Sequence, residues 1–340
     1  MKLWFNKGAW ASKSAAAKLS ELDPEQVKSI AVIRHAALGD MVLTRPFLIE
    51  LRNCFPNARI TLSLVSNYMR GAPEDLVDRV HVVYGSDRRD KSPFEQIKQA
   101  RTLGYHDLVF DLAATTRSIW VCVLNKARFK IGFPYTQMQR RLFYDAAVLR
   151  SDMEFEAETM LDMLRLLGFN VGHPPIFSLP GSTTVRERPF IVYFTSASGE
   201  YKCWPKENFA QLVGRMAQQY QDHDHVVLEG VADWESIDEI IEPNRERGNV
   251  EGLKLDSVDE TISLMKGARL VVSNDTGIRN LAIAAEAPTL GIFFATAPFK
   301  TVPFRYLPAN GKHDIVFNHD GSIPAVELVY DAAVKILSQA

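Results

Sequence analysis

The sequence predicts two successive α/β domains, each built on a parallel sheet. Its 340 residues exceed what one ordinary core organises and suggest two domains of similar size. Short apolar runs alternate with segments of helical periodicity, giving strand–helix–strand units whose strands run parallel. The pattern stops in a loop-like stretch at 170–188, with Pro174, Pro175, Pro180, Gly181 and Ser182, and then restarts.

Composition narrows the function before any motif does. A hydrophobic fraction of 46% and a charged fraction of 24% are those of a soluble globular protein. The formal net charge of −2 supplies no global basic field for nucleic acid. Cys54, Cys122 and Cys203 are scattered, with no CxxC pair, and suit a reducing compartment rather than a disulfide framework or a zinc site. No apolar run approaches the length of a membrane span.

Residues 1–25 form a basic and aromatic leader. Lys2, Lys7, Lys13 and Lys18 stand there with Leu3, Trp4, Phe5 and Trp10, and no acidic residue precedes Glu21. The stretch lacks the apolar region of a signal peptide. It reads either as an interfacial element on an anionic membrane or as a locally packed leader. The first domain, 26–178, then opens on a strand at 29–34, a loop Ala36-Ala37-Leu38-Gly39-Asp40 and a helix to about Phe55. In that helix Phe47, Leu48 and Leu51 share one face; Pro46 either starts it or bends it. Strands follow at 60–65, 80–84 and 108–112, with a helix at 93–103 ended by Gly104. Residues 118–124 are helix or strand by periodicity, and 127–143 is basic and turn-rich. An amphipathic helix at 154–167 ends at Gly168.

The second domain, 185–322, starts with a strand at 190–194, the polar loop Thr195–Gly199 and a helix at 205–218. A strand at 226–228 comes next, and Ser257 with Glu260 forms a capping box for a helix closed by Gly267. Asp222-His223-Asp224-His225 is rich in metal-ligand types but reads as a solvated turn. The most informative stretch is ARLVVSNDTGIRNLAIAAEAPTLGIFFATAP, Ala268–Pro298. A buried strand at 270–272 enters the turn Ser273–Gly277, an Ala-rich helix follows, and Pro288 precedes a second buried strand. Backbone N–H groups at such a turn and helix N-terminus suit an anion such as a pyrophosphate. The last segment, 323–340, is a helix with the option of packing back on the first domain.

Standard cofactor signatures are missing. No GxGxxG follows a strand, and no GxxxxGK[ST], GxSxG or HExxH occurs. Three other stretches remain. They are Ile30–Pro56 (IAVIRHAALGDMVLTRPFLIELRNCFP), Lys202-Cys203-Trp204-Pro205, and Val271–Pro288 with its Ser-Asn-Asp-Thr-Gly block. In order and spacing they resemble the ADP-heptose–lipopolysaccharide heptosyltransferases, glycosyltransferase family nine. Asp111-Leu112, Arg117-Ser118 and Ile131-Gly132-Phe133 resemble further positions of that family.

The resemblance implies a GT-B architecture, two Rossmann-like domains facing a central cleft, with the donor mainly on the C-terminal one. It implies sugar transfer with inversion and neither a metal nor another cofactor. Asp40 matches the family's catalytic carboxylate, a base for the acceptor hydroxyl; the alternative is a helix cap. Lys202 matches a cation that stabilises the leaving diphosphate, beside a helix N-terminus. Thr195, Ser196, Glu235, Asp275, Thr276, Gly277 and Asn280 complete the expected donor site, with Glu235 toward the ribose. Contact between Asp275 and a phosphate would be repulsive, so Asp275 is expected to hold the turn through backbone N–H groups or to accept from a sugar hydroxyl. Thr276 and Gly277 suit the phosphates better.

Two positions depart from the family pattern. Ala36-Ala37 stand where serines are common, and Asn280 where histidine is usual. Asparagine donates a hydrogen bond but carries no proton or charge, so the donor differs from ADP-heptose or its phosphate contacts shift, with Arg279 a candidate. On the acceptor side, Gly39, Arg117, Arg140 and Arg141 are expected to contact the acceptor. Together with Lys126, Arg128 and Lys130, the arginines form a basic series suited to Kdo carboxylates or lipid A phosphates, or to a solvated face. The partners so implied are a nucleotide-sugar donor, ADP-heptose first, and an anionic lipid A–Kdo or core-oligosaccharide acceptor. The place is the cytoplasm, peripheral to the inner membrane. A transferase for another nucleotide sugar or glycan, and a sugar-nucleotide-binding paralogue without catalysis, are the alternatives.

Overall fold

A computed structural model describes residues 8–134, 137–303 and 312–339, apart from the side chains of Gln137, Arg140 and Asp233. The chain divides into two compact units, Met1–Phe177 and Ser178–Ala340.

In the N-terminal unit the elements run β1 (Ala9–Ala11), α1 (Lys13–Ser20), β2 (Ser29–Ile33), α2 (Leu38–Val42), α3 (Arg45–Cys54), β3 (Arg59–Val65), β4 (Arg79–Val83), α4 (Pro93–Ala100), β5 (His106–Asp111), α5 (Thr116–Leu124), β6 (Ala127–Gly132), α6 (Gln137–Phe143), β7 (Ala146–Val148) and α7 (Glu156–Leu166). Among the described residues they form one seven-stranded sheet, ordered β1-β7-β6-β5-β2-β3-β4. Every pairing is parallel except β1 on β7. Without β1, the order is that of a doubly wound nucleotide-binding sheet, whose direction reverses between β2 and β5.

Local chemistry explains the helix boundaries. Pro46 sits in the first turn of α3, where its missing N–H costs nothing, and the turn carrying Asp40 is the separate short α2. Phe47, Leu48 and Leu51 are fully buried. Ser92 and Glu95 cap α4 reciprocally, and Gly104 closes the following turn at φ +85°, a left-handed conformation that disfavours a side chain. Residues 118–124, undecided by periodicity, are helical behind a Thr115–Ser118 capping box.

One expectation needs correction. The basic stretch 127–143 is not mainly turn: it holds β6 and α6. Phe129 and Ile131 point inward and alternate with Arg128 and Lys130, so the charges mask a period of two. The described part of the leader is locally packed, one of its two readings: β1 pairs with β7, and Ala15 of α1 is buried. Residues 1–7 lie outside the described residues.

The C-terminal unit runs β8 (Phe190–Phe194), α8 (Lys206–Gln219), β9 (Asp224–Glu229), α9 (Asp238–Ile241), β10 (Val250–Lys254), α10 (Val258–Gly267), β11 (Leu270–Asn274), α11 (Gly277–Ala284), β12 (Thr289–Phe293), β13 (His313–Phe317) and a C-terminal helix, Val326–Gln339. Its sheet is parallel throughout and ordered β10-β9-β8-β11-β12-β13. This order again reverses once, between β8 and β11. α11 ends before Pro288, at a turn where Glu286 takes φ +62° and the Ala287 N–H returns to the Ala282 carbonyl. The C-terminal helix buries Val329, Ala333 and Ile336 in this unit's core with Trp204, Phe209 and Met216.

Five buried histidines make stability depend on pH. Burial pushes His35 and His313 down to about 3 and His225 to about 4, and also lowers His81 and His106. Their neutral rings pack or bond inside, as His225 does to the Tyr193 hydroxyl at 2.9 Å. An unfolded histidine takes up a proton near pH 6.5, whereas these do not until well below it. Unfolding therefore binds protons in that window, and stability is full above about pH 6.5 and falls toward pH 4. Asp111, raised by burial, titrates in the opposite sense but is one group against five. Urea midpoints should be lower at pH 5 than at pH 7; equal midpoints would contradict the burial of these neutral rings.

Candidate active site

Ligands bind in doubly wound sheets at the carboxyl ends of the strands, where the strand order reverses. In the N-terminal unit that point is flanked by the loops after β2 and β5. The loop after β2 carries His35 to Ala37 and then α2, with Gly39 buried and Asp40 exposed. The Asp40 carboxylate is not a helix cap: the residue before α2 is Ala37, which offers no side-chain cap.

One buried cation joins the two loops. The Arg34 guanidinium donates from Nη1 to the Leu112 carbonyl at 2.8 Å, and from Nη2 to the Asp40 carbonyl at 2.8 Å. Glu156 on α7 neutralises it at 3.0 Å and also accepts from Arg150. Removing one partner of such a pair leaves a buried charge, at a cost of about 3–5 kcal/mol. The loop after β5 is held by Asp111, which accepts from the Ala113 and Ala114 N–H groups, the Ser118 hydroxyl and the Tyr144 hydroxyl. Gly132 lets Tyr144 reach it, since a Cβ there would lie 2.3 Å from the ring.

The expected acceptor residues divide. Arg117, at the start of α5, lines a cavity with Tyr84, Ile97 and Trp120. Arg141 is exposed on α6. The Arg140 side chain lies outside the described residues.

In the C-terminal unit the reversal lies between Thr195, after β8, and the turn after β11. Asn274 bridges it. Its Oδ1 accepts from the Trp204 N–H at 3.0 Å, and its Nδ2 donates to the Thr195 carbonyl at 2.7 Å, all out of solvent. Trp204 is anchored at its other end, where Nε1 donates to the Pro324 carbonyl at 2.8 Å. Lys202, two residues before Trp204, is thereby placed against the Asp275 turn: Nζ is 2.9 Å from Asp275 Oδ2. The Thr296 hydroxyl donates to that same oxygen at 2.7 Å. Asp275 thus holds the ammonium and the loop after β12 through one oxygen.

Thr276 and Gly277 lead into α11 and stay partly accessible, whereas Thr195, Ser196 and Asn280 are buried. Glu235 accepts from the Ala232 N–H at 2.8 Å. Arg279 lies inside the unit, with its Nε and Nη2 lacking a hydrogen-bond partner among the described residues. It is wholly buried over the Phe293 ring, and its Nη1 donates to the Thr301 carbonyl. Among the described residues no cluster of His, Cys, Asp and Glu could hold a metal ion.

The sequence profile of glycosyltransferase family 9 (heptosyltransferase) matches residues 96–327, more than half of the chain. The chain belongs to this family. The glycosyltransferase is 21% identical over 296 residues to lipopolysaccharide heptosyltransferase 1 of Campylobacter coli, covering 80% of this chain and 85% of the relative. It is 23% identical over 282 residues to lipopolysaccharide heptosyltransferase 3 of Escherichia coli (strain K12), covering 76% and 80%. Among solved structures, it resembles E. coli heptosyltransferase WaaC with ADP-2-deoxy-2-fluoro heptose at a TM-score of 0.71 and 18% identity, over 91% of this chain and 99% of the other. That likeness establishes the fold, the GT-B arrangement of two Rossmann-like units in one chain.

Asn274 is the site residue that motif reading missed. Replacing it with alanine leaves the Trp204 N–H and the Thr195 carbonyl buried without partners, and such groups cost about 1–3 kcal/mol each. Asn274→Ala should lower the urea midpoint and weaken donor binding together. Unchanged donor affinity in a folded variant would show that the bridge does not set the donor side.

Proposed function

We propose that this glycosyltransferase moves heptose from ADP-heptose to a lipopolysaccharide core acceptor, with inversion. The observation that carries the reading is the pairing of reactive groups with fold. An exposed carboxylate, Asp40, sits at the strand reversal of one unit, and the Lys202–Asp275 pair sits at the reversal of the other, in a family 9 chain.

Asp40 takes the proton of the acceptor hydroxyl as its oxygen attacks the anomeric carbon opposite the diphosphate. The bond from that carbon to the diphosphate oxygen breaks, and its electron pair leaves with the nucleotide. Lys202, with one N–H on Asp275 and two others available, meets the growing phosphate charge. Thr276 and Gly277 add a hydroxyl and backbone N–H groups to the phosphates. Thr195, Ser196, Glu235 and Asn280 complete the donor side, with Glu235 toward the ribose. Gly39, Arg117, Arg140 and Arg141 receive the acceptor, whose carboxylates or phosphates pair with guanidinium groups. Such a lipid acceptor places the enzyme at a membrane surface, and no described helix is long and apolar enough to cross one.

Asn280 in place of the usual histidine favours a second reading, transfer from a different nucleotide sugar. Thermal-shift screening against ADP-, UDP- and GDP-sugars separates the two, because a bound donor stabilises the fold. ADP-heptose should give the largest rise in Tm. A larger rise with a UDP- or GDP-sugar would establish the second reading in its place.

A further inference from the structure

Helices α4, α5 and α6 of the N-terminal unit leave large apolar side chains in water. Phe94 and Ile97 on α4 are 76% and 45% exposed, Trp120 on α5 is 59%, and Met138 and Leu142 on α6 are 65% and 66%. They are not scattered. Phe94 and Ile97 are three residues apart, Met138 and Leu142 four, so each pair shares a helix face. Ile97 and Trp120 both line a cavity of about 510 Å³ whose wall is mainly apolar, together with Val121, Leu124 and Arg117. α6 packs beside α5. A contiguous exposed patch of this kind marks an interaction surface.

The charges of the same region select the partner. From Leu112 to Tyr144 the chain has six basic residues, Arg117, Lys126, Arg128, Lys130, Arg140 and Arg141, and no aspartate or glutamate. On α4, Lys98 and Arg101 continue the face that Phe94 and Ile97 begin, one and four residues beyond Ile97. The whole chain is slightly acidic, so this concentration is local. Apolar anchors among a local excess of cations suit a surface that is itself apolar beneath a negative layer, which is an anionic lipid bilayer.

We propose that the α4–α5–α6 face docks on an anionic phospholipid membrane, with Phe94, Trp120 and Leu142 entering the interface and the cavity between α4 and α5 admitting part of a lipid chain. The assignment extends the proposed membrane-borne acceptor. Vesicle binding is read without donor or acceptor, so it can fail while that function stands.

The full-length protein is floated with vesicles of phosphatidylcholine alone and of phosphatidylcholine with phosphatidylglycerol. Binding should require phosphatidylglycerol and weaken as salt rises. Trp120→Ala with Leu142→Ala, and separately Lys98→Glu with Arg101→Glu, should each weaken it by about ten-fold or more. These positions are exposed, and transfer to a water-soluble acceptor should be unchanged in both variants, which also reports that they fold. Binding that survives both variants would overturn the proposal. So would binding lost instead on Trp4→Ala with Phe5→Ala, which would place the contact in the leader, and binding only to vesicles that contain the glycolipid acceptor.

Discussion

Asp40→Asn should bind donor as the wild type does and lose transfer by roughly 10²–10⁴-fold, the contribution of a positioned general base. The side chain is exposed at the strand reversal, and the position of its backbone is fixed by Arg34 rather than by the carboxylate. The amide is nearly the same shape, so α2 should survive the change and only the proton acceptor is lost. Donor affinity by titration calorimetry and kcat on the same preparation give the two halves of the result. Transfer near the wild-type rate would remove Asp40 from the mechanism.

Lys202→Met should lower kcat by about 10²–10³-fold, the range for removing one preorganised group from developing charge. The variant also leaves the Asp275 carboxylate without its cation beside the expected phosphates. Repulsion then adds to the loss, and donor KM should rise as well. Asp275→Asn separates the effects, because the amide still meets Lys202 and Thr296 but holds the ammonium less firmly. A kcat loss confined to Lys202→Met, with Asp275→Asn close to wild type, would make Asp275 dispensable to the placement of Lys202.

Much of this was legible in the sequence because the signals are local. The strands at 29–34, 190–194 and 270–272 are continuous apolar runs, as parallel strands covered on both faces must be. The motifs around Asp40, Lys202 and Asp275 are contiguous, and each lies beside a strand end. Of the edge strands, β4 was legible at 80–84, but three others escaped for the converse reason. β10 (VEGLK) and β13 (HDIVF) lie at opposite edges of their sheet and carry charged or half-exposed side chains, so they lack the apolar run. β1 has only three residues and gains its meaning from β7, more than 130 residues later.

Side-chain partners were beyond local reading. Arg34 and Glu156 stand 122 positions apart, and Asn274 reaches back 79 to Thr195. Nothing in either local pattern distinguishes these residues from solvated ones. The ion pair of Asp275 is likewise long-range, made to a lysine 73 positions away. An arginine on a donor-site helix looks available, yet Gly291 leaves room for its guanidinium inside the unit, where burial lowers its pKa to about 10.

The central claim is a two-group transfer from a nucleoside diphosphate sugar, and product analysis tests it most directly. The enzyme is incubated with ADP-heptose and a Kdo-bearing lipid A acceptor, nucleotide release is followed, and the acceptor is examined by mass spectrometry and by NMR of the new linkage. We expect one ADP released per heptose gained and an anomeric configuration opposite to that of the donor, with both lost in Asp40→Asn. A product that retains the donor's configuration, or transfer that persists in Asp40→Asn, would contradict the account.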